Sequence, residues 1–167
     1  MLQPAFFMDL LYDDPYVGNI ELADNYSVTF LAASDTPEEE WVKVERWLEE
    51  EIFGTDKVVL SGFQSPFEKR VLMRLFEHKH PVILYLSRSL YKRLPREYET
   101  PLAENRLLII SYFPNCNRCS YHTSSARNTG LMKMGDEVVV VGRTRHSTIN
   151  TFFELFSNRA TKPFRDL

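Results

Sequence analysis

Two cysteines are all that the 167 residues contain, and no apolar run approaches the length needed to cross a bilayer. The apolar start of the chain lacks a basic segment and carries Asp9, Asp13 and Asp14 instead, which argues against an export signal. A cytoplasmic location with no membrane contact is therefore expected, and in that reducing setting a structural disulfide is not. No glycine spacing of a dinucleotide fingerprint or a P-loop follows any apolar run. There is no Ser-His-Asp or Cys-His order and no visible pair of carboxylates, so no catalytic residue is assigned. Repeats and low-complexity linkers are missing as well.

The two cysteines stand close together, as Cys116-x-x-Cys119, with His122 shortly after. These are three of the four ligands a structural zinc site needs, and no second CxxC or HxxxH completes the set. A redox CxxC opens a helix directly after a strand, whereas Asn115 and Asn117 here break any helix. The pair reads as small residues in a loop, and neither a metal nor a cofactor is expected.

Charge is unevenly spread. Residues 1–56 hold 14 acidic and 2 basic side chains, whereas residues 57–167 hold 9 and 18. Either the halves neutralise each other across the fold, or a basic face is left for a polyanion.

Five short, nearly continuous apolar runs recur along the chain, at 26–33, 56–62, 81–87, 106–113 and 136–142. Strands buried on both faces read this way. Between them lie amphipathic helical segments. One places Trp41, Val44, Trp47, Leu48 and Ile52 on one side; another does so with Phe67, Val71, Leu72, Leu75 and Phe76. Thr36-Pro37-Glu38-Glu39 and Ser65-Pro66-Phe67-Glu68 each offer a hydroxyl cap, proline at the first helical position and glutamate at the third. Strand and helix alternate, which predicts an open, mostly parallel sheet with helices on both faces.

Such sheets bind ligands beyond the carboxyl ends of their strands. The residues expected there are Ala33-Ser34, Ser61 to Ser65, Ser87 to Ser89, the loop around the cysteines, and Gly142 to Thr148. Ser124 or Ser125 is expected to cap a helix start at Arg127-Asn128, where N–H groups and a guanidinium together suit phosphate. Gly62 lets the backbone approach a ligand, and Ser65 marks a second helix start facing the same crevice. Glu38, Glu39 and Glu40 crowd the first helix start and repel phosphate there. Arg88, Lys92, Arg93 and Arg96 form a basic run around Tyr91, suited to a nucleic-acid backbone with a base stacked on the ring. His122 and His146 are the proton carriers expected near the crevice.

Residues 26 to 155 resemble the Rossmann-like domain of the DNA-processing protein A (DprA/Smf) family, within a wider group that includes LOG-type nucleotide hydrolases. The resemblance rests on Ser61-Gly62, Ser111-Tyr112-Phe113-Pro114, Ala126-Arg127-Asn128 and the strand from Asp136 to Val140, in that order and at similar spacing. The sequence departs at Phe63-Gln64-Ser65-Pro66, where the family has a glycine-rich loop. It also has Thr129 in place of arginine after Asn128, and a changed turn from Gly142 to Thr148. The Pro-Gly-Gly-x-Gly-Thr-x-x-Glu motif of the hydrolase branch is absent.

The resemblance implies a three-layer α/β/α sandwich with at least five mainly parallel strands. The expected division is an N-terminal arm or edge strand at 1–25, the Rossmann-like domain at 26–158 and a C-terminal tail at 159–167. The expected function is binding of phosphate, either in single-stranded DNA or in a small nucleotide. Ser61, Gly62, Ser65, Arg88, Arg127, Asn128 and Ser147 are the expected ligand residues. A nucleotide hydrolase of the LOG (phosphoribohydrolase) type and a non-catalytic interaction protein are the alternatives. The apolar N-terminal arm points toward a homodimer.

Overall fold

The computed structural model describes residues 16–114 and 116–167. Among the described residues, seven strands form one sheet in the order β1-β5-β4-β3-β2-β6-β7. They are β1 (Tyr16–Gly18), β2 (Ser27–Ala32), β3 (Val58–Ser61), β4 (Val82–Leu86), β5 (Leu107–Ser111), β6 (Glu137–Val141) and β7 (Phe164–Asp166). Among these, β1 alone runs antiparallel, and the other described pairings are parallel. The five expected strands are all present. The arm at 1–25 holds β1, and its residues before Tyr16 lie outside the described part. The stretch at 159–167 holds β7, paired with β6 from Val138↔Phe164 onward.

Among the described residues, five α-helices flank the sheet: α1 (Trp41–Trp47), α2 (Pro66–Glu77), α3 (Glu99–Ala103), α4 (Tyr121–Met134) and α5 (Thr148–Ser157). Alternation along the strands builds two cores. Val28, Phe30, Val59, Val82, Leu84 and Val139 meet Val44, Trp47, Val71 and Leu75 of α1 and α2 on one face. Leu31, Leu60, Ile83, Val138 and Val140 meet Leu131, Met132 and Phe153 of α4 and α5 on the other. Central strands buried on both faces carry apolar residues at most positions, which is why their runs are nearly continuous.

The caps divide. Ser65 accepts from the Glu68 N–H at 3.3 Å and Pro66 opens α2, as expected. Thr36 does not cap: its hydroxyl donates to the Ala33 carbonyl at 2.5 Å. The helix start at α4 also differs. It lies at Ser120, whose hydroxyl accepts from the Thr123 N–H at 3.1 Å while the Thr123 hydroxyl accepts from the Ser120 N–H at 2.9 Å. Arg127 therefore stands in the second turn, not at the helix start. Leaving β5, the chain returns to the far side of β2, so β2 lies between β3 and β6. That reversal in strand order opens a crevice beyond the end of β2.

Candidate functional site

The crevice is a cavity of about 560 Å³. Ser34 and Asp35 after β2, Ser65 and Glu68 of the α2 start, and His146 and Ser147 of the α5 start line it, with Arg127 and Asn128 of α4. Ser147 caps α5 by accepting from the Asn150 N–H at 3.1 Å. Two helix starts thus open onto one space with their positive dipole ends.

Arg127 is only 4% exposed. Its Nη2 and Nε donate to the Asn128 amide oxygen at 3.0 and 3.3 Å. Its Nη1 is buried with no hydrogen-bond partner among the described residues. The guanidinium lies against Gly62: a Cβ there would stand 2.5 Å from Cζ and 2.8 Å from Nε. Burial pushes the Arg127 pKa below its ordinary value, and the charge of Glu68 opposes that shift. A buried cation with an unpaired donor leaves hydrogen-bonding capacity unspent, which makes it a candidate ligand group.

Glu68 is the residue that sequence reasoning missed. Its position in Ser-Pro-Phe-Glu reads as a helix cap. The carboxylate instead turns inward, 3% exposed. One oxygen accepts from the Ala32 N–H at 3.0 Å and the other from the Gln64 N–H at 3.1 Å. It ties the end of β2 to the loop after β3, and it lines the cavity.

A second cavity, of about 470 Å³, holds Gly62, Arg88, Tyr91, Lys69, Leu84 and Cys119. Gln64 separates the two, its amide nitrogen donating to Ser87 Oγ and Cys119 Sγ, both at 2.9 Å. The guanidinium of Arg88 sits 4.9 Å over the Tyr91 ring. Tyr91 is half-buried, and burial pushes its hydroxyl up in pKa. Lys92, Arg93 and Arg96 are exposed beside it. Phe63, at the glycine position of the resembled family, keeps a left-handed backbone (φ 49°) while its ring is 4% exposed in the core.

Of the expected ligand residues, Ser65, Arg127, Asn128 and Ser147 share the first cavity. Gly62 and Arg88 line the second. Ser61 lines neither; it is fully buried and its hydroxyl accepts from the Phe63 N–H at 3.2 Å. Both cysteines are free thiols, and among the described residues no group of three or more metal-ligating side chains comes together. His122 is exposed on α4, away from both cavities.

The fold has solved counterparts. DNA processing protein A from Streptococcus pneumoniae superposes with a TM-score of 0.75 at 16% identity, over 96% of this chain and 58% of that one. The fold is that of DNA processing protein A. A second structure of that protein, from Helicobacter pylori, matches with a TM-score of 0.67 at 19% identity, over 96% of this chain and 75% of that one; it concerns a single-stranded DNA binding mode. The chain thus spans a little over half of the Streptococcus DprA and three quarters of the Helicobacter DprA. No protein-family model and no curated protein sequence matches it. Like the DprA structures it overlays, it is an α/β protein, and no described helix is long and apolar enough to cross a membrane.

Proposed function

We propose that the chain binds single-stranded nucleic acid, with one backbone phosphate seated in the cavity under Arg127. The observation that carries this reading is the buried guanidinium of Arg127, which lines the cavity where the starts of α2 and α5 open and whose Nη1 has no partner among the described residues. In the free protein a neutral amide oxygen, that of Asn128, occupies the Nε–Nη2 fork. A phosphate oxygen displaces it and gains charge-assisted bonds from a cation that is already desolvated. The basic run from Arg88 to Arg96 continues the path along the strand, and the single-stranded DNA binding of the Helicobacter DprA supports the choice of ligand.

The test is fluorescence anisotropy of a labelled oligothymidylate, with wild type and Arg127→Ala. Loss of one charge-assisted pair is worth about 1.5–3 kcal/mol, or roughly ten- to a hundredfold in affinity. Arg127→Lys restores part of this, since lysine lacks the planar fork. Wild-type affinity in a folded Arg127→Ala protein overturns the proposal.

A further inference from the structure

Four ionisable side chains line the first cavity: Asp35, Glu68, Arg127 and His146. Two are buried, the Glu68 carboxylate at 3% exposure and the Arg127 guanidinium at 4%. They carry opposite charges and form no ion pair with each other, so both fields act on whatever enters. Asp35 adds a second carboxylate at the exposed rim. A cation with a spare donor invites an anion, yet the surrounding carboxylates limit how much negative charge the space tolerates.

We infer that this cavity selects a singly charged phosphodiester over a doubly charged terminal phosphate. The inference rests on the nucleic-acid reading above and specifies the chemistry of its occupant. A phosphodiester carries one negative charge, which the guanidinium offsets. A phosphomonoester carries close to two above neutral pH. Its second charge faces Glu68 and Asp35 with no further guanidinium or ammonium among the described lining residues, in a partly desolvated space where like charges interact strongly. The cavity therefore reads an internal position of a strand and disfavours strand ends and free mononucleotides. The Glu68 carboxylate is fixed for this task. Both its oxygens are held by backbone N–H groups of Ala32 and Gln64, so it cannot swing away from an incoming charge.

The experiment is competition at pH 8 against a labelled oligothymidylate, using two unlabelled competitors. Thymidylyl-thymidine presents one diester; thymidine 5′-monophosphate presents one monoester. The diester is expected to compete better by at least about tenfold, the scale of one like charge at close range. Asp35→Asn, at an exposed position, should narrow the gap several-fold without affecting folding. Glu68→Gln should narrow it further if it folds, and Asp35→Asn alone suffices if it does not. If the labelled strand fails to bind wild type, the nucleic-acid reading falls and this inference with it. If the strand binds but the two competitors act equally, or the ratio ignores Asp35→Asn, the selectivity falls and the nucleic-acid reading stands.

Discussion

The guanidinium of Arg127 packs against the α-carbon of Gly62, which leaves no room there for even one methyl group. Gly62 also divides its roles, since it lines the neighbouring cavity on its other side. Its φ is not in the left-handed region, so the requirement for glycine is one of space and not of backbone conformation.

Gly62→Ala should therefore displace the arginine. Overpacking of this kind costs about 1–3 kcal/mol, visible as a lowered melting temperature. Adding Arg127→Ala removes the clash. The double variant should then be less destabilised than the sum of the two single changes, the signature of a direct contact. Strict additivity in chemical denaturation would show that the two residues do not touch.

Affinity for an oligonucleotide should fall steeply with salt, because phosphates neutralised by Arg88, Lys92, Arg93 and Arg96 release counterions. Each neutralising substitution at a true contact should flatten the plot of log K against log salt by roughly 0.7 for a single strand. Arg88→Ala should also free the Tyr91 ring, one face of which the guanidinium now takes. Unchanged slopes in all four variants would remove the basic run from the binding path.

Stability should decline as pH falls below about 6.5, through His80. That side chain is 5% exposed, its Nε2 lies 2.5 Å from the Lys57 carbonyl, and burial holds its pKa below the ordinary value. The unfolded chain binds a proton near the ordinary value while the folded one still resists it. Unfolded molecules thus hold more protons in this window, and stability drops with acidity until the folded pKa is passed. A His80→Phe variant should show a flatter dependence of melting temperature on pH between neutrality and the carboxylate range. An identical profile would place the titration elsewhere.

Arg143 fastens the last strand. It donates to both oxygens of Asp166, at 2.9 and 3.2 Å from Nε, bonds Asn150 of α5, and lies 4.2 Å over the Phe153 ring. Asp166 is well exposed, so the loss in Arg143→Ala should be only about 1 kcal/mol. Its location is the sharper readout. Exchange protection should fall at the Leu167 N–H, which bonds the Val140 carbonyl at 2.9 Å, and remain at the centre of the sheet. Uniform loss of protection would mean the contact supports the whole fold.

The central strands were readable because burial on both faces writes a nearly continuous apolar run. The edges were only partly so: an arm or edge strand was expected within 1–25 and a tail at 159–167, while Tyr16–Gly18 and Phe164–Asp166 are three residues each, partly exposed, and owe their conformation to the strand beside them. At α4, Ser120, Ser124 and Ser125 are equally good caps by residue type. Only the reciprocal bonding of Ser120 with Thr123 decides, and it moves Arg127 a full turn inward. The sequence also offers five loops without ranking them. Strand order does so, since β2 between β3 and β6 makes their loops share one cavity while the loop after β4 serves another. Glu68 was hidden by its own plausibility as a cap.

Phe63 has a consequence for how a ligand is received. A left-handed backbone at a bulky residue costs on the order of 1–3 kcal/mol, and here a ring inserted into the core offsets it. That ring anchors the turn between Gly62 and Gln64 from below, while Ser61 holds its N–H from the side. The wall between the two cavities is thus set before anything arrives. A glycine-rich turn would have to surrender its freedom on binding. This one has already done so during folding, and an incoming ligand meets a surface whose ordering cost lies in the past.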